Sequence, residues 1–494
     1  MAQVLFTHSY FLRFDPKEYR AMMPYPPLGT LYAAGYLRAQ GFDVALHDVM
    51  FSKSEEELQH AIDHHRPKLV VIYDDQFNYL TKMCLTRMRE AAFAMTGMAK
   101  KSGCVVIIFS SDATDHLDKY FSHGADFVIC GEAEETLAEL VQGLLAPEEF
   151  AVETVAGLAY CVDGEVVRTA PRRVIEHLDA LPFPAWDAVD LSPYRDAWKQ
   201  KHGRFSLNMV TTRGCPFHCN WCAKPIYGQV YHTRTPENVV EEMLRLREVA
   251  HPDHIWFADD IFGLKPGWIA HFDEVVRMHD AKIPFKCLSR VDLLLKEDNI
   301  RHLQSAGCQT VWVGAESAAQ HVLDAMEKGT TVEQIYEATK LLQSNGINVG
   351  FFLQYGYPGE TRTDIESTLQ MVKDCMPDEI GISVSYPLPG TRFYERVKQD
   401  LEGKHNWVDS GDLDMMFQGT YSPDFYRALH RMTHKKFRVW RAKNTLIDLI
   451  LHPRHVNRLS IRGMAAAAYH ALTLPKLESL VNSLATEHTS MNHG

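Results

Sequence analysis

The chain has 494 residues, 46% of them hydrophobic, and a formal net charge of −12. This composition is typical of a globular protein with more than one domain, and the acidic balance argues against nucleic acid as a partner bound across a basic surface. No uncharged apolar run is long enough to cross a membrane, and the N-terminus lacks the basic and apolar segments of a signal peptide. We therefore expect a cytoplasmic protein.

Residues 1–145 alternate short apolar runs with stretches of helical periodicity. Such alternation predicts an α/β fold with a doubly wound parallel sheet, covered by helices on both faces. The predicted strands are Gln3–Thr7, Val44–His47, Leu69–Tyr73, Val105–Phe109 and Phe127–Cys130. Ligands of such sheets bind beyond the carboxyl ends of the strands. Small or hydroxylic residues follow two of these ends: Ser110, Ser111, Thr114 and Gly131.

Residues 146–203 have a different pattern. A hairpin is predicted around Asp163 and Gly164, and the segment Leu181–Trp186 contains two prolines. Proline-stiffened segments without an apolar repeat are typical of connections between domains. We interpret this part as a linker.

Residues 204–400 return to strand–helix alternation, with six predicted strands. This pattern predicts a partial (β/α) barrel, whose functional residues should lie at the carboxyl ends of the strands. The remainder, residues 401–494, has helical patterns without a clear strand. The predicted barrel strands are Ser206–Thr211, His254–Ala258, Phe285–Ser289, Thr310–Gly314, Asn348–Gln354 and Gly381–Tyr386.

The C-terminal region is basic within an otherwise acidic chain. Between Phe425 and Gly463 there are ten lysines and arginines and one acidic residue, with Trp440, Leu446 and Ile447 among them. An amphipathic basic helix can lie on an anionic membrane surface. The alternative, which we favour, is a helix packed on the acidic body of the protein with its charges paired or solvated.

Cys215, Cys219 and Cys222 form a C-x3-C-x2-C triad on a loop after the first predicted barrel strand. Thiolates are the usual ligands of iron–sulfur clusters, and a four-iron cluster usually takes four of them. Three cysteines would leave one iron open to an exchangeable ligand. A zinc site completed by His218 or His232 is an alternative, as are three unrelated core cysteines, although a polar Gly/Pro-rich loop is a poor place for core residues.

The segment from Thr211 to Cys222 resembles the signature of radical S-adenosylmethionine (SAM) enzymes, in which an aromatic residue precedes the third cysteine. The resemblance implies a 4Fe-4S cluster on the three thiols, with SAM chelated at the open iron and cleaved to a 5′-deoxyadenosyl radical. It also implies that Trp221 lies against the adenine of SAM.

Polar residues at later strand ends extend this resemblance. Asp259 resembles the residue that meets the SAM ammonium, whereas Arg290, Glu316 and Ser317 resemble positions that hold its carboxylate and ribose. Taken singly, such residues are more often solvated or capping. Their recurrence at successive strand ends of one barrel favours a shared ligand.

Four further segments resemble the radical SAM subgroup with an N-terminal cobalamin-binding domain, in the branch of the anaerobic Mg-protoporphyrin IX monomethyl ester cyclase and the hopanoid-modifying enzymes. They are Pro26–Tyr32, Ala125–Glu134, Tyr355–Thr361 and Tyr386–Thr391. The resemblance covers residues 1–400 and implies a cobalamin-binding Rossmann-like sheet. Ser110, Ser111, Thr114 and Gly131 are then the residues expected to approach cobalamin.

One motif of cobalamin proteins is absent: the D-x-H-x-x-G pattern that supplies a histidine to the lower face of cobalt. Asp63 and His65 have the first spacing but no following glycine. His116 lies near the expected loop, but we interpret it as a surface histidine. We therefore expect cobalamin without a histidine lower ligand; a degenerate domain that binds nothing is the alternative.

The resemblance implies methyl transfer to an unactivated carbon of a small, hydrophobic molecule, with electrons from an external donor such as flavodoxin or ferredoxin. A radical cyclisation or rearrangement without methyl transfer is the alternative within enzymes. From another class, the chain could be an iron–sulfur electron-transfer or sensor protein that never cleaves SAM. The polar strand ends argue against that class, because an electron carrier needs no substrate-sized barrel mouth.

Overall fold

A seven-stranded sheet forms the first half of the fold in the computed structural model, which describes residues 2–77, 86–224, 226–401, 415, 417, 419–451 and 458–491. Its strand order is β2-β1-β3-β4-β5-β6-β7, with the first five strands parallel and the last two antiparallel. The strands are β1 Val4–Thr7, β2 Val44–Leu46, β3 Leu69–Tyr73, β4 Val105–Phe109, β5 Phe127–Ile129, β6 Leu158–Val162 and β7 Glu165–Arg168. The predicted doubly wound sheet is therefore confirmed, and the predicted hairpin extends its edge.

Helices cover both faces of this sheet, so its central strands are buried along their whole length. Alternate residues of β3 enter different cores: Val71 packs into one cluster, while Val70 and Ile72 pack into another. The described helices of this part are α1 Pro16–Ala21, α2 Leu28–Ala39, α3 Glu57–His65, α4 Thr86–Lys101, α5 Ser111–Asp115, α6 Leu117–Ser122 and α7 Glu134–Leu145.

Six parallel strands in sequential order form the second sheet, which is the predicted partial barrel. It is preceded by α8 Ser192–His202, and a two-stranded ladder flanks the cysteine loop. The barrel strands are β8 Ser206–Met209, β11 His254–Phe257, β12 Phe285–Ser289, β13 Cys308–Glu316, β14 Asn348–Tyr355 and β15 Glu379–Val384; the ladder strands are β9 Thr212–Arg213 and β10 His232–Thr233.

Helices cover the outside of the barrel and alternate with its strands. Thr331 and Thr361 each form a capping box at the start of a helix, which satisfies two backbone donors there. The described barrel helices are α9 Pro236–Ala250, α10 Trp268–Met278, α11 Val291–Leu294, α12 Asn299–Ala306, α13 Gln320–Ala325, α14 Val332–Ser344, α15 Arg362–Cys375 and α16 Arg392–Val397.

The C-terminal region is a pair of long helices, α17 Pro423–Leu451 and α18 Arg458–Met491, which pack against each other. The first turns of α17 also pack on the barrel, where Phe425, Leu429 and Met432 are buried. In the described ranges, neither helix nor any other has an apolar stretch that could span a membrane. The predicted helical C-terminal region is therefore confirmed.

Candidate active site

The three cysteines of the triad lie on the loop between β9 and β10, beyond the carboxyl end of β8. Cys215 is buried, Cys219 half-buried and Cys222 exposed, and all three are free thiols. Gly214 has a φ of 81°, and a Cβ there would lie 2.3 Å from the carbonyl oxygen of Val230. Only glycine allows this turn. Any other residue would be strained at this positive φ, and its Cβ would clash with the Val230 carbonyl.

The chemistry of this donor set fits a thiolate-ligated cluster. Although part of Cys222 reaches the surface, the protein atoms packed around its thiol, together with the Asp260 carboxylate and the Cys215 thiol, raise its pKa to about 12. Burial likewise raises the pKa of Cys215. Such thiols need a metal to become thiolates at neutral pH. In the described ranges, no group of three His, Cys, Asp or Glu side chains is already positioned to bind a metal ion. The fit of a cluster to this loop therefore rests on the presence of three neighbouring free thiols.

Asn220 fixes the middle of the cysteine loop to the barrel. Its backbone N–H donates to Met326 O at 3.1 Å, and its side-chain amide donates to Ala325 O at 2.7 Å. The hydroxyl of Tyr357 donates to the Asn220 Oδ1 at 3.1 Å. These bonds tie the loop to the segments that follow β13 and β14. Sequence analysis did not single out Asn220; its position between two cluster cysteines was the available signal.

Asp259 clamps the segment that leads into the cysteine loop. Its buried carboxylate accepts four hydrogen bonds of 2.7–3.0 Å, from the backbone N–H and the hydroxyl of both Thr211 and Thr212. Three of these bonds converge on Oδ1, and only the Thr211 hydroxyl bonds to Oδ2. Burial raises the pKa of Asp259 to about 6, against the lowering effect of the threonine bonds. Direct contact with a SAM ammonium stays a prediction, and Oδ2 is the oxygen that keeps an acceptor site for it.

Glu316 and Lys328 form a buried ion pair at the carboxyl end of β13. The Lys328 Nζ lies 2.8 Å from the Glu316 Oε1. Glu316 has a φ of 54°, a left-handed conformation that is unusual for a residue with a side chain. Gly314 makes room for the pair, since a Cβ there would lie 2.4 Å from the Lys328 Nζ.

Trp221 lies beside this ion pair. Its ring centroid is 5.9 Å from the Lys328 Nζ. Its indole N–H is buried and has no hydrogen-bond partner among the described residues. A buried donor without a partner is costly, so this N–H is available to a polar group of a ligand. Trp221, Glu316 and Lys328 thus form one polar corner next to Cys219.

Arg290 and Ser317, the other two predicted SAM residues, are both buried. The Arg290 guanidinium stacks on the Phe217 ring of the cysteine loop at 3.6 Å and donates to Lys328 O at 3.0 Å. The Ser317 hydroxyl accepts a bond of 3.2 Å from Ala319 N. Arg290 therefore contacts both the loop and the polar corner, whereas the Ser317 hydroxyl bonds within its own turn and lies 3.4 Å from the Thr368 hydroxyl.

Arg213 joins the cysteine loop to the first sheet. Its guanidinium donates to Glu134 at 2.6 Å and also to Glu132, and all three side chains are buried. The rings of Tyr32 and Tyr227 each lie 5.5 Å from the guanidinium carbon. The carboxyl edge of the first sheet therefore faces the barrel mouth across one charged and aromatic contact.

The predicted cobalamin residues lie at that carboxyl edge. The Ser110 hydroxyl accepts from Ala113 N at 2.9 Å and caps α5, and Ser111 is buried beside it. The Thr114 hydroxyl donates to Ser110 O at 3.2 Å. Gly131 has a φ of 93°, and a Cβ there would point into open space.

Two orphaned groups support a ligand at the same edge. The hydroxyls of Thr7 and Tyr73, at the ends of β1 and β3, are buried without a partner among the described residues. The strand order 2-1-3-4-5 reverses direction between β1 and β3, and ligands of such sheets bind outside that switch point. The edge therefore fits a cofactor such as cobalamin.

Comparison with known protein families assigns a separate family to each of the two sheets. A B12 binding domain model matches residues 21–141, and a Radical SAM superfamily model matches residues 209–372. Together they cover more than half of the chain. The chain belongs to the radical SAM enzymes that carry a cobalamin-binding domain.

Relatives of this radical SAM protein include methyltransferases and cyclases. It is 29% identical to an uncharacterized methyltransferase of Pyrococcus horikoshii over 350 residues, 70% of this chain and 74% of the relative. It is 27% identical over 400 residues to the anaerobic magnesium-protoporphyrin IX monomethyl ester cyclase of Rubrivivax gelatinosus, 78% of this chain and 69% of the relative.

A solved structure shows the same fold. It is the cobalamin-dependent S-adenosylmethionine radical enzyme OxsB with aqua-cobalamin and S-adenosylmethionine bound. The TM-score is 0.72 at 16% identity, over 99% of this chain and 74% of that one. In this radical SAM chain, the residues that sequence analysis missed, Arg213, Asn220 and Lys328, all contact the cysteine loop or the polar corner beside it.

Proposed function

We propose that the protein is a cobalamin-dependent radical SAM methyltransferase that modifies an unactivated carbon of a small molecule. One observation carries this proposal: the carboxyl edge of the B12-binding sheet faces the cysteine loop, with Arg213 bonded to Glu132 and Glu134 across the contact. Two cofactors that act on one substrate need such an arrangement. Relatives named as methyltransferases support the reaction.

The three thiols of Cys215, Cys219 and Cys222 are the proposed cluster ligands. A 4Fe-4S cluster bound there supplies the electron that cleaves SAM into methionine and a 5′-deoxyadenosyl radical. The chain's own contribution is to hold the loop still, through Asn220 and through the bonds that Asp259 accepts from Thr211 and Thr212.

The polar corner is the proposed SAM site. The Trp221 ring offers a face to the adenine and its free N–H offers a donor. The Glu316 carboxylate can accept from an ammonium or from ribose hydroxyls, in charge-assisted bonds that are stronger than neutral ones. Arg290 already donates to the Asp292 carboxylate at 2.9 Å, and we propose that its guanidinium also pairs with the SAM carboxylate. Asp259 and Ser317 remain proposed SAM contacts, although both side chains already bond within the protein.

Ser110, Ser111, Thr114 and Gly131 remain the proposed cobalamin contacts. We propose that the cofactor has no histidine lower ligand. His116, the nearest histidine by sequence to this loop, lies 3.7 Å from the Asp112 carboxylate. Electron paramagnetic resonance of bound Co(II) cobalamin should show no nitrogen superhyperfine splitting. A splitting that disappears in His116→Ala would overturn this assignment.

The reaction is tested with SAM carrying a trideuterated methyl group, reduced protein and candidate substrates. Methyl transfer places the label in the product and forms S-adenosylhomocysteine. A cyclase or rearrangement enzyme yields an unlabelled product together with 5′-deoxyadenosine. An electron carrier releases no 5′-deoxyadenosine under dithionite, and that result would refute the proposal.

The cluster also needs an electron source and a reducing compartment. We propose a small donor of the flavodoxin or ferredoxin class, and a cytoplasmic location. The nine cysteines of the described residues are all free thiols, which agrees with a reducing environment; Cys84 lies outside the described residues. The chain should be reduced by flavodoxin with its reductase as well as by dithionite.

Peripheral contact with an anionic membrane is a further proposal for the α17–α18 pair. Both helices of the pair carry exposed apolar side chains. On α18, Leu472 is 81% exposed and Tyr469 63%; on α17, Leu446 is 48% exposed and Ile447 46%. Lys443, also exposed, lies near them. The side chains of residues 448–465 lie outside the description. Basic residues beside exposed apolar ones suit a membrane surface.

Co-sedimentation with vesicles tests this contact. Phosphatidylglycerol vesicles should pull down the protein and phosphatidylcholine vesicles should not, because the anionic lipid attracts the basic residues. Leu472→Asp should abolish the binding. Val249→Asp, which alters an exposed apolar residue on a barrel helix, is the control. Equal binding of anionic vesicles by all three proteins would refute contact through the α17–α18 pair.

A further inference from the structure

We propose that the inner face of the partial barrel is the substrate site, and that it takes a flat, largely apolar molecule with one acidic group. The ring system would lie on Trp312 and Phe352, and the acidic group would pair with Lys286. This inference rests on the proposed function, because it names the substrate class of the same enzyme.

The inner face of the barrel sheet is open to solvent. Along β12, Phe285 and Cys287 are buried under the outer helices, whereas Lys286 and Leu288 are partly exposed. The same alternation continues in β13, where Trp312 is partly exposed between buried neighbours. Successive side chains of a strand point to opposite faces. The partly exposed set therefore lines an accessible space inside the barrel.

Aromatic rings form a floor in this space. The rings of Trp312 and Phe352 are 4.7 Å apart, and Phe352 is 38% exposed. Glycines make room for them: a Cβ at Gly350 would lie 2.3 Å from the Trp312 ring, and one at Gly381 would lie 3.4 Å from Phe352. An exposed aromatic surface within a concave site is typical of a site for an apolar ligand.

The floor lies directly below the polar corner. Phe352 is the partner of Gly314 across the β13–β14 ladder. A Cβ on Gly314 would touch both the Lys328 Nζ and the Glu316 Oε1. A ring system on Phe352 and Trp312 would thus lie next to the proposed SAM site, where a radical is generated.

Lys286 supplies an uncompensated positive charge farther down the same face. Its Nζ lies 5.0 Å from the centroid of Trp256 and 5.5 Å from that of Tyr25. Among the described residues, no carboxylate lies within ion-pair distance of it. A partly buried ammonium held only by aromatic rings attracts an anion strongly, because little water screens it.

The register sets the length of the ligand. Lys286 pairs with Thr310, and Leu288 pairs with Trp312. At about 3.3 Å per residue, Lys286 lies roughly 7 Å below the level of Trp312. Tyr25, from the loop before α2, reaches into this level and its hydroxyl lies 3.2 Å from the Ser206 Oγ. The substrate class is therefore an extended molecule with an acidic group several bonds from the reacting carbon.

A matched pair of dyes tests this site without knowledge of the substrate. 1-Anilinonaphthalene-8-sulfonate carries rings and one anionic group, and N-phenyl-1-naphthylamine carries the same rings without the charge. Lys286→Met should weaken binding of the sulfonate by at least about tenfold and leave the neutral dye unchanged. Phe352→Ala should weaken both dyes.

Lys282→Met, a change of an exposed lysine on the segment before β12, is the control and should alter neither affinity. The inference is overturned if Lys286→Met binds the sulfonate as tightly as the native protein, as it would if the dye bound the apolar residues of the α17–α18 pair. Release of 5′-deoxyadenosine under dithionite is measured on the same native sample. Loss of that release with intact dye binding would count against the proposed function alone.

Discussion

The Arg213 Nη2 lies 2.6 Å from the Glu134 Oε1, and both side chains are at least 96% buried. Glu134 begins α7 of the B12-binding domain, whereas Arg213 stands two residues before the first cluster cysteine. A bond between these residues connects the B12-binding domain directly to the cysteine loop of the barrel. Any displacement of one domain would therefore be transmitted to the loop that carries the cluster.

Replacing Arg213 should destabilise the protein strongly. Arg213→Gln leaves Glu132 and Glu134 buried without a counter-charge, and breaking a buried pair in this way costs about 3–5 kcal/mol. Urea unfolding should show this loss in the free energy of unfolding. Arg38→Gln is the control: its partner Asp187 is 77% exposed, and an exposed pair contributes at most about 1 kcal/mol. Equal effects of the two changes would contradict the proposed link.

The cluster should depend on the three triad cysteines and on no other thiol tested. Cys219→Ala should lose iron and the visible absorbance of the cluster after anaerobic reconstitution, because three thiolates are needed to hold it. Cys161→Ala removes an exposed thiol on the first sheet and should retain both. If the triple variant of Cys215, Cys219 and Cys222 keeps its iron, the assignment is wrong.

Glu316→Gln should weaken SAM binding while sparing the cluster. Removal of one charged hydrogen bond costs on the order of 1.5–3 kcal/mol, or about 10- to 150-fold in affinity. Asp259→Asn should behave differently if its main role is to hold Thr211 and Thr212: it should lower thermal stability and cluster loading. Titration calorimetry with SAM, together with iron analysis, measures both. Unchanged SAM affinity in Glu316→Gln would exclude this carboxylate from the site.

Glu360 should make stability depend on pH. Burial, assisted by the Asp364 carboxylate and opposed by the bond from Gly356 N, raises its pKa from the ordinary value of 4.5 to about 8. Between these values the folded protein holds a proton that the unfolded chain has lost, so stability falls as pH rises through this window.

Glu360→Gln, which stays neutral, should therefore be more stable than the native protein at pH 8, with a difference that shrinks towards pH 5. Thermal unfolding between pH 5 and 9 measures it. Glu366→Gln, at an exposed pair with Arg362, should follow the native profile. A constant difference between Glu360→Gln and the native protein across this range would show that Glu360 does not titrate there.

Much of the architecture could be predicted from local patterns. Strands such as Leu69–Tyr73 and Phe285–Ser289 were predicted with the bounds that the structure has, because a buried strand between helical segments leaves a clear alternation. The cysteine triad was equally local, since its spacing is written in eight residues. The resemblance to the cobalamin-dependent radical SAM enzymes followed from such short segments and was confirmed by the comparisons.

The contacts of individual side chains could not be predicted from the sequence. Asp259 was expected to face SAM, yet both of its oxygens bond to Thr211 and Thr212. Its position at a strand end was predictable, but the partner it meets depends on how the preceding strand turns. The direct SAM contact stays a prediction for the same reason.

The sequence by itself determined the two folds and their order, and it predicted the cluster thiols, because these depend on periodicity and spacing within short segments. Only the tertiary structure decided which distant groups meet. Arg213 and Glu134 are 79 residues apart, and Lys286 gains its aromatic neighbour Tyr25 from another domain. Such contacts arise when two separately formed sheets dock, and no local pattern encodes the register of that docking.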